Sequence, residues 1–163
     1  MRVYVPMTLP GLARAVQAGE IGPAPLDGYA VTPGLREWYS DGDAEELEYT
    51  AMVQAARASL RLLGRAESAV PRRVVVAVEV QTDLVSAEHE LGRAVVEVSA
   101  TLPMARVASA HVDDDAAADD IRAAVDALPA SDEGDGDARF TVESVEGHEL
   151  MWYAAQELKD LVT

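Results

Sequence analysis

The order of apolar and polar residues along the chain predicts a series of short strands. The clearest is residues 72–80, where every second side chain falls on one of two faces, the first made of Val74, Val76, Val78 and Val80. Two largely apolar faces are typical of a strand that is covered on both sides. Shorter apolar runs predict five further strands, at residues 2–5, 29–31, 93–100, 109–112 and 139–145.

A second pattern, with a period near 3.6 residues, predicts helices between these strands. It is strongest over residues 41–64, where Asp43 and Glu46 stand three apart as an acidic version of the capping box. Further helices are predicted over 113–128 and 147–162. In the last of these, His148 and Trp152 would lie one turn apart on the same face.

A threonine followed by a proline comes after three of the predicted strands, as TLP (8–10), TP (32–33) and TLP (101–103). A threonine hydroxyl caps free amides at a helix start, and proline is tolerated in the first turn. We therefore expect Thr8 and Thr32 to begin helices over 8–19 and 32–39, and one helical turn to follow Thr101. The alternative is a loop that binds phosphate, but neither glycine-rich phosphate motif is present.

The order of these elements predicts a single domain over residues 1–163, of α/β class with an α+β tendency. We expect a mixed sheet of about five to six strands with helices on one or both faces. Because strand and helix alternate early, the first two strands are expected to be parallel and joined by a right-handed crossover. The acidic, glycine-containing stretch at 129–138 predicts a mobile loop within this domain.

Composition agrees with a globular protein and excludes several classes of function. Hydrophobic residues make up 49% of the 163, and the absence of cysteine excludes disulfides and thiolate chemistry. The net charge of −16 disfavours binding to nucleic acid or to anionic membranes. We find neither a membrane-length apolar run nor the apolar core of a signal peptide, so a cytoplasmic location is expected.

The motifs that would indicate catalysis are incomplete. HEL at 89–91 and at 148–150 each begin like the zinc motif HExxH, but Arg93 and Trp152 stand at the fifth position. The aspartates of 113–120 are expected to face water rather than hold a cation, and residues 132–143 do not fit a calcium loop. No metal site, cofactor or catalytic residue is therefore predicted.

Aromatic residues concentrate in two short segments that are candidates for binding. The first holds Arg36, Glu37, Trp38 and Tyr39, and the second holds His148, Trp152 and Tyr153. Each could line a pocket or a partner-binding surface, with the guanidinium or the imidazole as a polar group. The alternative is that they seal helices against the sheet, and clustered aromatic residues more often belong to a core.

The same segments carry a resemblance to a known family. The stretches 1–39, ELEYTAMVQAARASLRLL, PRRVVVAVEV, SAHVDD and HELMWYAAQE resemble a family of uncharacterised actinobacterial proteins, a domain of unknown function. The resemblance extends over nearly the whole chain. It implies a cytoplasmic actinobacterial protein, but it implies no activity and therefore assigns no catalytic residue.

Three functions from different classes are consistent with the sequence. The first, which the absence of catalytic motifs favours, is a non-catalytic interaction or regulatory protein that contacts another protein through Trp38 or Trp152. The second is a small-molecule binder or enzyme. It would use a crevice at the strand ends near Thr8 and Thr32, with Arg36 for an anion and His148 for proton transfer. The third is an acidic mimic of nucleic acid that binds a basic protein.

Overall fold

The computed structural model describes residues 1–66 and 70–163 of the chain. These residues form nine strands: β1 (Arg2–Met7), β2 (Glu20–Ile21), β3 (Leu26–Tyr29), β4 (Val74–Glu79), β5 (Val85–Ala87), β6 (Val95–Val98), β7 (Leu102–Pro103), β8 (Val107–Val112) and β9 (Met151–Ala154). They also form six α-helices: α1 (Leu9–Ala18), α2 (Pro33–Trp38), α3 (Ala44–Arg65), α4 (Ala118–Asp132), α5 (Gly136–Ser144) and α6 (Leu158–Leu161). No helix in the described part of the chain combines the length and the apolar composition of a membrane-spanning segment.

One seven-stranded sheet organises the fold, in the order β5-β6-β3-β1-β4-β8-β9, and β2 and β7 form a separate two-stranded sheet. Helices and sheet make an α+β fold, which confirms the expected class, but the sheet has seven strands rather than five to six. The parallel pairing expected for the first two long strands is wrong, because β1 pairs antiparallel with β3. All the other pairs among the described residues are antiparallel as well.

Helices cover both faces of the sheet, and the register explains why. On one face, Val74, Val76 and Val78 pack with Leu12 of α1 and Leu158 of α6. On the other face, Tyr4, Val75 and Ala77 pack against α2 and α3. The alternation predicted for residues 72–80 is therefore confirmed, with both faces of β4 buried.

The carboxyl-terminal half of α3 extends to a third apolar cluster that it shares with α4. Leu60 and Leu63 pack there against Ile121 and Leu128 of α4 and against Val145. Two ion pairs add surface contacts: Arg61 pairs with Asp132 at the end of α4, and Arg57 pairs with Glu146 in the turn after α5. Because α3 is long enough to pack on the sheet with one half and on α4 with the other, it connects the sheet to α4 and α5.

The predicted strand at 139–145 is wrong, because this segment lies mainly in α5. Asp135 caps α5 by accepting hydrogen bonds from the amides of Asp137 and Ala138, at 2.9 and 3.1 Å. Val142 and Val145, three residues apart, both pack toward α4. The stretch 129–138 is consequently the end of α4, a short turn and the start of α5 rather than one continuous loop.

The helix predicted over 147–162 is also wrong in its first half. Residues Met151–Ala154 form β9, which pairs with β8 at the edge of the sheet, and only Leu158–Leu161 is α-helical. The apolar spacing of this segment fits either structure. Without β9, the backbone N–H and C=O groups on the outer edge of β8 would have no partner within the sheet. Pairing with residues 151–154 satisfies them, and this long-range contact makes the segment a strand rather than a helix.

Candidate partner-binding surface

Thr32 begins α2, as its sequence context predicts. Its hydroxyl oxygen accepts a hydrogen bond from the amide of Leu35 at 3.1 Å, and Pro33 follows in the first turn. The same hydroxyl donates to the backbone carbonyl of Arg93, and the side chain is buried. Thr32 therefore joins α2 to the turn at residues 88–93, and its hydroxyl has no further proton to offer a ligand.

A second contact fixes the turn at 88–93 against α2. A methyl group at Gly34 would lie 3.1 Å from two ring atoms of His89, which shows how closely the imidazole approaches the helix backbone. The turn itself is closed by a hydrogen bond of 3.0 Å from the Leu91 amide to the Glu88 carbonyl. Two segments about 60 residues apart along the chain thus form one continuous piece of surface.

Trp38 and Arg93 meet on this surface. The guanidinium carbon of Arg93 lies 3.6 Å from the centre of the Trp38 ring, which is a cation–π contact. Nevertheless 61% of Trp38 is exposed, and the neighbouring Tyr39 is exposed too. Leu91, two residues before Arg93 in the turn, is 75% exposed. We call Trp38, Tyr39, Leu91 and Arg93 together the Trp38 surface.

The two segments of this surface carry charges of both signs, Arg36 and Arg93 together with Glu37, Glu88 and Glu90. Among the described residues, neither Arg36 nor Arg93 forms an ion pair with a carboxylate, although the chain holds 29 acidic residues. Arg36 is exposed on α2, two residues before Trp38. The cations at this place are therefore available to an external carboxylate.

His148 and Trp152 do not form the pair expected from a helix. His148 lies before β9, where its Nε2 is 2.7 Å from a carboxylate oxygen of Asp120 and its carbonyl accepts from Arg73 at 3.0 Å. Trp152 lies on β9 opposite His111 and is 62% exposed. The expectation of one shared helical face is corrected, because His148 lies in a bend before β9 and Trp152 lies in the strand.

The two aromatic segments also lie far from each other in the sheet. Arg93, the partner of Trp38, immediately precedes the β6 region, whereas Trp152 is on β9, and four strands separate β6 from β9. Thr8 caps α1 by accepting from the Gly11 amide at 3.1 Å, and it lines a cavity that contains none of the Trp38 surface. The structure thus does not bring Thr8, Thr32, Arg36 and His148 into one crevice.

Two arrangements that could support catalysis are a cluster of metal ligands and a serine next to a histidine. No three His, Asp or Glu side chains within residues 1–66 and 70–163 lie close enough together to hold a metal ion. The Ser109 hydroxyl oxygen lies 3.4 Å from Nε2 of His111, but Ser109 is buried. Burial lowers the pKa of His111, and the charge of Arg2 lowers it further. A nucleophile that a substrate cannot reach does not make an active site.

Sequence reasoning missed Leu91 and Arg93 as members of the site. HELGR (89–93) was informative only as a broken zinc motif, and nothing in its composition indicates that it lies beside Trp38. An exposed leucine two residues from an arginine in a turn is the one local signal, and it is a weak one.

Comparison with known proteins places the chain in a family. The model of a family of unknown function, DUF6912, matches residues 1–162. The chain belongs to this family. No curated protein and no solved structure matches it. The family description assigns no activity, so a function for the chain has to be argued from its own side chains.

Proposed function

We propose that the protein is a non-catalytic binding protein that contacts another protein through the Trp38 surface. The observation that carries this proposal is the exposure of Trp38 beneath the guanidinium of Arg93, with Leu91, two residues before Arg93, 75% exposed in the same turn. Exposed apolar side chains that cluster on a polar protein commonly mark interaction sites.

The residue types support a protein partner. Tryptophan, tyrosine and arginine contribute most of the binding energy at protein interfaces. The Trp38 ring is already held by Arg93, so that little side-chain entropy is lost when a partner covers it. The hydrogen bond from Thr32 to the Arg93 carbonyl and the close approach of His89 to Gly34 fix the position of α2 relative to the turn at 88–93. Little further ordering is therefore needed on binding.

The charge of the surface favours a partner of a particular kind. Arg36 and Arg93 lack carboxylate partners among the described side chains, so a partner should present an apolar side chain flanked by acidic groups. A second copy of the chain is disfavoured. Two copies that each carry a net charge of −16 repel each other.

The matched variants Trp38→Ala and Trp152→Ala test the proposal. Both tryptophans are exposed to almost the same extent, 61% and 62%, but they lie on different parts of the sheet. A protein captured by the wild type from a native lysate is identified, purified and titrated against all three forms by calorimetry. We expect Trp38→Ala to weaken binding by about 30-fold or more, as a hot-spot residue does, and Trp152→Ala to leave it unchanged.

Equal binding by the wild type and Trp38→Ala would contradict the proposal. Loss of binding in Trp152→Ala alone would instead assign the interface to β9. Sedimentation of the protein alone over a wide concentration range tests self-association. If the protein dimerises and Trp38→Ala abolishes the dimer, the partner at the Trp38 surface is a second copy of the chain rather than a different protein.

We also propose that the protein acts in the cytoplasm of an actinobacterium. This rests on the family resemblance of the sequence, which implies a cytoplasmic actinobacterial protein. Fractionation of an actinobacterial cell that expresses the tagged protein tests the location, and recovery in the secreted or membrane fraction would contradict it.

A further inference from the structure

A cavity of about 860 Å³ opens where β1 ends and α1 begins. This volume is within the range of small-molecule sites. Its apolar lining includes Met7, Ile21 and Leu26, which are buried in the main core. The loop at 22–25 forms one side and packs closely, since a methyl group at Gly22 would lie 2.7 Å from the Thr101 side chain. The cavity thus has an apolar floor and a supported wall.

Arg14 extends over the first turn of α1 at this cavity. One of its terminal nitrogens, Nη2, is 3.8 Å from the position that a Cβ of Gly11 would occupy, so the guanidinium is turned back along the helix. No carboxylate of residues 1–66 or 70–163 is within ion-pair distance of Arg14. The first turn of α1 holds no acidic residue either.

Arg65 contributes a second cation from a different helix. It stands at the end of α3 and lines the same cavity as Arg14. Arg14 and Arg65 thus place two guanidinium groups at one cavity, where their charge can be offset by an anionic ligand or by the carboxylates that also line it. In a chain with a net charge of −16, such a pair is not explained by overall composition.

Two acidic side chains complete the polar lining and define the ligand more closely. Glu20 of β2 and Asp27 of β3 both line the cavity and are exposed. Carboxylates accept hydrogen bonds from hydroxyl or amino groups but repel a bare anion. The lining therefore suits a molecule that carries both an anionic group and hydrogen-bond donors.

We infer that this cavity binds a small organic anion, in which a phosphate or carboxylate pairs with Arg14 and Arg65 and hydroxyl or amino groups donate to Asp27 or Glu20. The apolar floor contacts the body of the ligand. This site shares no residue with the Trp38 surface, and it does not depend on the proposed protein partner.

Calorimetric titration with paired probes tests the inference. The anionic probes are glucose 6-phosphate, AMP and glutamate, and the comparison probes are glucose, adenosine and inorganic phosphate. At least one anionic probe should bind, and its uncharged counterpart or inorganic phosphate should bind at least tenfold more weakly. Arg14→Ala and Arg65→Ala should each weaken the affinity for the anionic probe by about tenfold or more, since each removes a charge-assisted hydrogen bond.

Arg106→Ala is the matched control, because Arg106 is also exposed but does not line the cavity. It should bind as the wild type does. Asp27→Asn should weaken binding of the organic anion, whereas binding of inorganic phosphate should not fall, because the substitution removes a carboxylate that repels it. Failure of all three anionic probes to bind, or equal binding by the wild type, Arg14→Ala and Arg65→Ala, would overturn the inference. Trp38→Ala should retain ligand binding, so this result and that of the partner test are separate.

Discussion

Arg73 and Asp113 form an ion pair inside the protein, with 4% and 0% of their side chains exposed. Three donors of Arg73, its backbone amide, Nε and Nη2, lie 2.8 Å from the two carboxylate oxygens of Asp113. The same Nη2 donates to the His148 carbonyl at 3.0 Å. The pair therefore joins the start of β4 to the end of β8 and to the segment that leads into β9. The aspartates of 113–120 were expected to face water, and for Asp113 this expectation is wrong because its side chain is buried.

Removing one member of this pair should be costly, because the other charge would remain buried without a partner. We expect Asp113→Ala to lower the free energy of unfolding by about 3–5 kcal/mol. Arg122→Ala is the comparison variant, since its partner Asp119 is 98% exposed. This substitution should change the free energy of unfolding by less than about 1 kcal/mol. Urea denaturation measures both. A loss in Asp113→Ala no larger than that in Arg122→Ala would contradict the expectation.

The two threonine caps should differ in strength although their sequence contexts are alike. Thr8→Ala removes one cap bond and should cost about 1 kcal/mol. Thr32→Ala also removes the donor to the Arg93 carbonyl inside the protein, so it should cost about 1–3 kcal/mol more. Thr32→Ser keeps the hydroxyl and should recover most of this loss. Thermal or urea unfolding gives the comparison, and equal losses at the two positions would show that the contact with Arg93 does not stabilise the fold.

Stability should fall between neutral pH and mildly acidic pH because of His111. Burial lowers the pKa of His111 in the folded state, and Arg2 lowers it further. The unfolded chain then binds a proton more readily than the folded protein. The free energy of unfolding therefore decreases as the pH falls through the ordinary pKa of histidine toward the lower pKa of the folded state. The variant His111→Gln should show a smaller loss from pH 7 to pH 5.5 than the wild type in urea denaturation. Identical pH profiles would exclude this histidine as the cause.

Local signals in the sequence predicted those parts of the fold that depend on neighbours in the chain. Thr8 and Thr32 cap helices because a cap bond spans only three residues. The alternation of residues 74–78 places successive side chains on opposite faces whatever the strand pairs with. Strands of two or three residues, such as β2 and β5, are too short for any period to be recognised.

The candidate site could be predicted only in part for the same reason. Trp38 and Tyr39 are conspicuous in the sequence, but whether an aromatic side chain is buried or exposed depends on what packs over it. Arg93 reaches Trp38 through the hydrogen bond of its carbonyl with Thr32, which joins residues 61 apart. The arginines at the cavity, Arg14 and Arg65, line the same space only because α1 begins and α3 ends near the last residues of β1.

The amino-acid sequence by itself determined the starts of α1, α2 and α3, the apolar faces of the central strand, the acidic charge and the membership in a family of unknown function. Only the tertiary structure decided the antiparallel order of the strands, the pairing of β9 with β8, and the neighbours of Trp38 and Arg14. Helix caps and side-chain alternation arise within a few residues. Strand order and surface clusters depend instead on which distant segments bury each other's apolar faces and satisfy each other's backbone hydrogen bonds.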